Sequence, residues 1–215
     1  MNSSGIDLIS GYFPDAGEEI LEKFSMLGAL YSFWNGRVNV ISRKDIPNLY
    51  LHHVLHSLSL AKVIAADSGD TFLDIGTGGG FPGIPLAILF PRAGFTLIDA
   101  TGKKIRVVES IAGELGLDNV EAIHVRAEEY RSHFHYVISR AVAPLTDLVR
   151  LSAGKFRQDI ISDRRYGLYC LKGGYLGSEL TGFEGRAEVH AISDHFMENF
   201  FSTKSIVFLP AAEVH

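Results

Sequence analysis

The 215-residue sequence holds one cysteine, Cys170. No disulfide can form within the chain, and a reducing, cytoplasmic compartment is expected. Positive charge is also scarce: 20 Lys and Arg stand against 25 Asp and Glu, a net −5. That excludes a protein that grips nucleic acid through a blanket of cations, although a local basic patch stays open. No uncharged apolar run approaches the ~18 residues of a membrane span. The opening MNSSGIDLIS has neither the basic start nor the apolar run of a secretory signal. Only 7 prolines interrupt the chain, whereas 47% of residues are apolar and 21% charged, the balance of a compact fold and not of a disordered one. One structural domain is expected, with residues 1–67 as a helical extension packed on a core over residues 68–215.

Periodicity separates these two parts. Ile20, Leu21, Phe24, Leu27, Leu30, Tyr31 and Trp34 recur at spacings of three and four, which predicts a helix ending near Asn35-Gly36. A second helix is predicted from Ile46 to Ala65, with Pro47 tolerated in its first turn. Two helices thus precede any strand. After Gly69, Thr71 to Ile75, Phe95 to Ile98, Val120 to Val125, Tyr136 to Ser139 and Leu168 to Leu171 each fit a buried strand. Pro82 to Phe90, Lys103 to Leu115 and Leu145 to about Ala153 fit helices, and Gly116 is a natural stop. Such alternation predicts a parallel sheet covered on both faces. Ala187 to Ile192 and Ser205 to Leu209 fit two closing strands, for which a hairpin is one arrangement.

The most informative segment is Thr71-Phe-Leu-Asp-Ile-Gly-Thr-Gly-Gly-Gly-Phe-Pro-Gly83, a strand that runs through Asp74 into a glycine loop opening a helix. Gly76, Gly78 and Gly80 let backbone turn sharply and approach a ligand. Gly78, Gly80 and Gly83 also satisfy the dinucleotide pattern G-x-G-x-x-G, with Asp99 at the distance of a ribose-reading acid. A nicotinamide-dependent oxidoreductase is therefore one reading. Asp74 inside the first strand, the alternating Gly76-x-Gly78-x-Gly80, and Pro82 where a pyrophosphate would need free helix N–H groups all favour a cofactor without phosphate. S-adenosylmethionine fits: its cationic groups suit Asp74 and its ribose hydroxyls suit Asp99. From position alone, Asp99 could equally cap the helix that follows.

Together these residues resemble a known family. Trp34-Asn35 with Val38-Asn39-Val40, His53-Val-Leu-His-Ser57-Leu58, DIGTGGGFPGIPLA from Asp74, Asp99 with Gly102-Lys103-Lys104, Ile138-Ser139-Arg140-Ala141 and Leu171-Lys172-Gly173 occur in the order and spacing of the glucose-inhibited division protein B family. These are bacterial small-subunit ribosomal RNA methyltransferases acting on guanine N7. The resemblance covers roughly residues 31–174. It implies an α/β, Rossmann-like methyltransferase fold with a seven-stranded, mostly parallel sheet and an N-terminal helical extension. It also implies S-adenosyl-L-methionine as cofactor, 16S rRNA or a small-subunit assembly particle as partner, and no metal. Cofactor contacts carry over to Gly76, Phe81, Ala127, Glu128 and Arg140, joined by Asp74, Gly78, Gly80 and Asp99. The sequence departs from the pattern at His56, where the family usually has Asp, and in a tail ending Phe208-Leu-Pro210 in place of a lysine-bearing strand.

Methylating guanine N7 calls for no general base, since N7 carries a lone pair and no proton. No catalytic residue is therefore assigned; Arg140 and Lys172 are positioning candidates. Between Asp99 and Lys172 there are 12 Lys and Arg and 10 Asp and Glu, which leaves 8 and 15 elsewhere. Lys103, Lys104, Arg140 and Lys172 all fall near carboxyl ends of predicted strands and are the RNA-binding candidates. His52 and His56 share a helix face, but no third ligand accompanies them, so His52, His53 and His56 are assigned to packing or polar contacts at the seam of helices and sheet. Tyr31 and Trp34 are assigned to the core more than to base stacking, Cys170 to an apolar strand, and Asp163-Arg164-Arg165 to an exposed turn. A cofactor-binding assembly module without turnover is a further alternative. A cytoplasmic monomer is expected.

Overall fold

The computed structural model describes residues 3–140, 142–157 and 165–214, with side chains from residue 5 onward. Its centre is a seven-stranded sheet of order β3-β2-β1-β4-β5-β7-β6, formed by β1 (Thr71–Ile75), β2 (Gly94–Asp99), β3 (Val120–His124), β4 (Tyr136–Arg140), β5 (Gly167–Gly173), β6 (Glu188–Ala191) and β7 (Lys204–Pro210). The first five strands run parallel. β7 lies antiparallel to β5 and to β6. All seven predicted strands are present, within a residue or two of the expected ends.

Reversal of strand order between β1 and β4 opens a crevice at their carboxyl ends, the place where sheets of this kind take ligands. β1 delivers Asp74 and the glycine loop to that crevice, and β4 delivers Arg140; Asp74 sits opposite Ile138 in the register. The antiparallel β7 brings its first residue to the same edge, Lys204 opposite Gly173 of β5.

Alternation along the strands feeds two cores. On one face Phe72 stacks between Phe95 and Tyr136, each ring centroid 4.5 Å away, and the N-terminal helices pack over this face within the same apolar cluster. On the other, Leu73, Ile75, Val137, Leu168 and Leu209 meet α6 (Leu145–Ser152). Each of these fully buried side chains stabilises the fold by about 1.5–3 kcal/mol. Helices α4 (Gly83–Leu89) and α5 (Gly102–Glu114) lie at the predicted places, and Gly116 closes α5 at φ +60°, a backbone that suits glycine.

Four expectations need correction. A helix α1 (Ser3–Tyr12) precedes the two that were predicted. Its docking rests on long-range contacts invisible to periodicity: Tyr12 Oη reaches Glu198, and Lys62 Nζ donates to the Tyr12 carbonyl at 2.7 Å. α2 (Glu18–Asn35) is as expected, but the second predicted helix is composite. In α3, spanning residues 46–62, Ile46–Asn48 and Ser59–Lys62 wind as 3₁₀ turns, Leu49–Leu55 as a wide π turn and His56–Leu58 as α. π turns of this kind re-aim side chains at functional sites. β3, expected to be buried, is a half-exposed edge strand. β6 and β7 are paired but are no tight hairpin, because residues 192–203 intervene with two 3₁₀ turns. Of the predicted turn Asp163-Arg164-Arg165, the first two positions lie outside the described residues, and Arg165 pairs with Glu188.

Candidate functional site

The glycine loop is built from below by one carboxylate. Asp74 is fully buried, and its Oδ2 accepts hydrogen bonds from Thr77 Oγ1 at 2.7 Å and Gly83 N at 3.0 Å. Its Oδ1 has no hydrogen-bond partner among the described residues, and burial pushes the carboxyl up to about 7. From the side, Asp99 at the end of β2 accepts from Gly78 N at 3.0 Å through Oδ2 and from Thr101 N at 2.8 Å through Oδ1. Asp99 thus ties the glycine loop to the residue before α5, whose N-cap is Thr101, without itself capping the helix.

Gly76, Gly78 and Gly80 all take positive φ, +68°, +60° and +95°. At Gly80 an added Cβ would also lie 2.7 Å from Ile84 Cγ1, so glycine is required twice over. At Gly78 an added Cβ would meet, among the described residues, only the Gly76 carbonyl, 3.9 Å away. The loop is therefore open at Gly78, as a cradle for a ligand must be.

The N-terminal helices close the loop from above. Buried Tyr31 donates from its hydroxyl to the Gly79 carbonyl at 2.7 Å and stacks on Phe81 at 4.8 Å. Asn35 ends α2 by donating to the Ile41 carbonyl and accepting from the Val40 and Ile41 N–H groups. That turn sets Val40 against Gly79. Tyr31 is a core anchor, as its spacing indicated, and its hydroxyl reaches the loop as well.

Beside the loop lies a cavity of about 710 Å³, within the size range of small-molecule sites. Gly78, Gly79 and Phe81 form one wall; Arg140, Lys172 and Lys204 bring charge; His53, His56 and Phe200 come from α3 and the C-terminal segment. Arg140 lies 5.0 Å above the Phe81 ring. Burial lowers its guanidinium only to about 10, so it stays charged at neutral pH. Lys172 is buried, with Nζ 2.6 Å from Glu179 Oε2 and donating to the Ala143 carbonyl at 2.7 Å. Its charge is already met. Lys204 has no acidic partner among the described residues and lies 5.2 Å from the Phe200 ring centroid.

Burial, with Arg140 nearby, pushes His53 down to about 4 and His56 to about 3, so both are neutral at pH 7. His52 and His53 both face Asp45, and His53 also meets Arg140, which places them at the expected seam of helices and sheet. Cys170 is buried, its thiol pushed up to about 12 by burial, and it is inert as a nucleophile.

Not every candidate converges. Arg140 and Lys172 share the cavity, whereas Lys103 and Lys104 begin α5 on the far side of the loop. Lys103 is exposed there and Lys104 Nζ lies 3.8 Å from Asp99 Oδ2. Ala127 and Glu128 follow β3, half-buried and exposed respectively, on the Asp99 side. Reading the sequence missed three contributors, Asp45, Phe200 and Lys204. Lys204 had a signal: in an antiparallel strand the first residue, not the last, lies at the ligand edge.

These features are those of proteins of known type. The family model described as rRNA small subunit methyltransferase G (GidB) matches residues 20–207. A ribosomal RNA small subunit methyltransferase G from Parabacteroides distasonis is 47% identical over 208 residues, covering 97% of this chain and 90% of that protein. One from Bacteroides thetaiotaomicron is 49% identical over 203 residues, covering 94% and 98%. Among solved structures, a SAM-dependent methyltransferase from Aquifex aeolicus superposes with TM-score 0.53 at 16% identity, over 72% of this chain and 89% of that one. The fold is thus the Rossmann-like methyltransferase fold, and the chain belongs to the rRNA small subunit methyltransferase G family.

Proposed function

We infer that this chain, an rRNA methyltransferase by family, transfers the methyl group of S-adenosyl-L-methionine to N7 of a guanine in 16S rRNA. One observation carries the reading: the open glycine loop at the β1/β4 crevice is continuous with a cavity walled by aromatic rings and cations. Gly76, Gly78, Gly80 and Phe81 would hold the cofactor from the loop, Asp99, Ala127 and Glu128 from the β2/β3 side, and Arg140 from β4. Asp74 acts from beneath, as the carboxyl that shapes the loop. Bound cofactor supplies an electrophilic methyl on a cationic sulfur.

The protein's own task is geometry. N7 needs no deprotonation, so no general base is required, and holding two reactants in line can supply up to about 7–11 kcal/mol. Phe81, buried between Tyr31 and Arg140, and Phe200, stacked on His52, help keep water from the cavity. Neutral His53 and His56 add no charge where positive charge passes to the purine. Arg140 and Lys204 are left to meet anionic oxygens. The same reading takes the protein to be a cytoplasmic monomer that meets 16S rRNA or a small-subunit assembly particle.

The test is transfer of labelled methyl from S-adenosylmethionine to 16S rRNA by the purified chain, followed by mapping of N7-methylguanine. Label at one guanine is expected; no transfer to free rRNA or to assembly particles overturns the reading. Lys204→Ala should weaken rRNA binding and reduce the slope of log K against log salt by about 1, as for loss of one phosphate contact. Lys172→Ala should change that slope less, because Glu179 already neutralises it. Binding titrations from low to moderate salt measure both.

A further inference from the structure

Arg140 leaves β4 where the glycine loop meets the cavity, and two further side chains hold its guanidinium. One Arg140 N–H donates to His53 Nδ1 at 3.0 Å and another to the His52 carbonyl at 3.2 Å. Across the ring, His53 Nε2 lies 2.5 Å from Asp45 Oδ2, and Asp45 Oδ1 lies 2.6 Å from His52 Nδ1. A guanidinium is a donor only, so His53 Nδ1 must be its unprotonated nitrogen. The remaining proton then sits on Nε2, facing the carboxylate. His53 is thereby fixed from both ends as a neutral ring in one tautomer. Burial raises the Asp45 carboxyl, but its two histidine hydrogen bonds outweigh this and leave it below its ordinary value, ready to accept both.

We propose that Asp45 and His53 are positioning residues for methyl transfer: Asp45 sets the tautomer and angle of the His53 ring, and His53 aims the Arg140 guanidinium across Phe81 into the cavity. A neutral imidazole between the two charges matters. Had the carboxylate gripped Arg140 directly, it would have spent the cation on a salt bridge, as Glu179 does with Lys172. With His53 interposed, geometry is fixed and the charge stays available to an anionic oxygen of a ligand. Two sources supply such an oxygen, the amino-acid carboxylate of the cofactor and a phosphate of the target nucleotide. The π turn Leu49–Leu55 has a role here: it carries both His52 and His53 at the surface that meets Asp45 and Arg140.

The role assigned to Arg140 rests on the proposed function; the tautomer does not. Nitrogen-15 NMR of the histidines in the full chain should show His53 neutral at pH 7 with Nε2 protonated and Nδ1 bare. A charged ring, or the proton on Nδ1, overturns the proposal whether or not the chain methylates rRNA. In the assay, His53→Gln keeps an N–H for Asp45 but empties the Nδ1 position, and should lower kcat/KM by about 10- to 100-fold. His53→Asn restores an acceptor at the Nδ1 position and should lose several-fold less. Combined with Arg140→Ala, His53→Gln should cost nothing more. Fully additive losses, or Asn no better than Gln, contradict the proposal. Calorimetry with S-adenosylhomocysteine, which keeps the carboxylate, separates the sources. Weaker binding in His53→Gln identifies the cofactor carboxylate; unchanged binding with a raised KM for rRNA identifies the nucleotide phosphate. A wild-type chain that binds S-adenosylhomocysteine but transfers no methyl removes the proposed function and leaves the NMR result standing.

Discussion

Arg140→Ala is expected to lower kcat/KM for rRNA methylation by about 100-fold or more, the largest loss for any single side chain of the site. The guanidinium sits at the point common to loop, cavity and helical extension, held at the His52 carbonyl and His53 Nδ1 and lying over Phe81. Losing a preorganised charged donor from such a position typically costs about 100- to 1000-fold. Arg140→Lys keeps a charge but cannot bond the His52 carbonyl and His53 in one plane, so it should recover only part of the loss. The fold should survive. The substitution leaves one carbonyl and one ring nitrogen without their donor, a penalty of about 2 kcal/mol, equivalent to a fall in thermal midpoint of roughly 4–8 °C for a chain of this size. Steady-state kinetics beside a melting curve separates the two effects. Activity within a few-fold of wild type would remove Arg140 from the site.

The second large effect is on stability and concerns Asp74. Its folded-state pKa of about 7 lies above the unfolded value near 3.8, with burial as the first cause. A raised carboxyl binds its proton more tightly in the folded chain. Its contribution to stability is therefore fully present below about pH 4 and is lost as pH rises toward 7. Between pH 5 and pH 8 this one group should remove roughly 2–3 kcal/mol. Asp74→Asn retains an oxygen that can accept from Thr77 Oγ1 and Gly83 N, and it cannot ionise. Denaturant titrations of both proteins across that range should show the wild type losing stability relative to the variant as pH rises. Parallel curves would mean that Asp74 is already ionised in the fold. Cationic cofactor beside the loop would favour the ionised form, so S-adenosylmethionine should release part of a proton on binding near pH 7, a quantity that calorimetry in buffers of different ionisation enthalpy measures.

The two arms of the site differ in how legible they were. Glycine at residues 76, 78 and 80 announces itself, because positive φ and close backbone approach leave little choice of residue, and Asp74 and Asp99 stand at fixed offsets from it. Strand periods are equally local, so every strand from Thr71 to Pro210 was visible. What failed were features set by non-local partners. Lys204 became a site residue only because β7 runs antiparallel, so its place at the start of the strand is a signal only once the strand's direction is known. Asp45 lies in an irregular segment, seven and eight positions before the two histidines it binds, a spacing that makes sense only once residues 49–55 wind as a π turn. Among the basic candidates, position at a strand end identified Arg140 and Lys172 as cavity residues but could not reveal that Glu179 closes over one of them. Charge counted along the sequence is not charge available at the site.

The central claim is that this chain places one N7-methyl group on 16S rRNA. Its most direct test is a quantitative map of N7-methylguanine along 16S rRNA from cells with the protein, without it, and complemented by wild type or by Arg140→Ala. The account predicts one guanine that loses its methyl group in the deletion, regains it with the wild-type protein and stays unmethylated or nearly so with Arg140→Ala. An unchanged map in the deletion would contradict it.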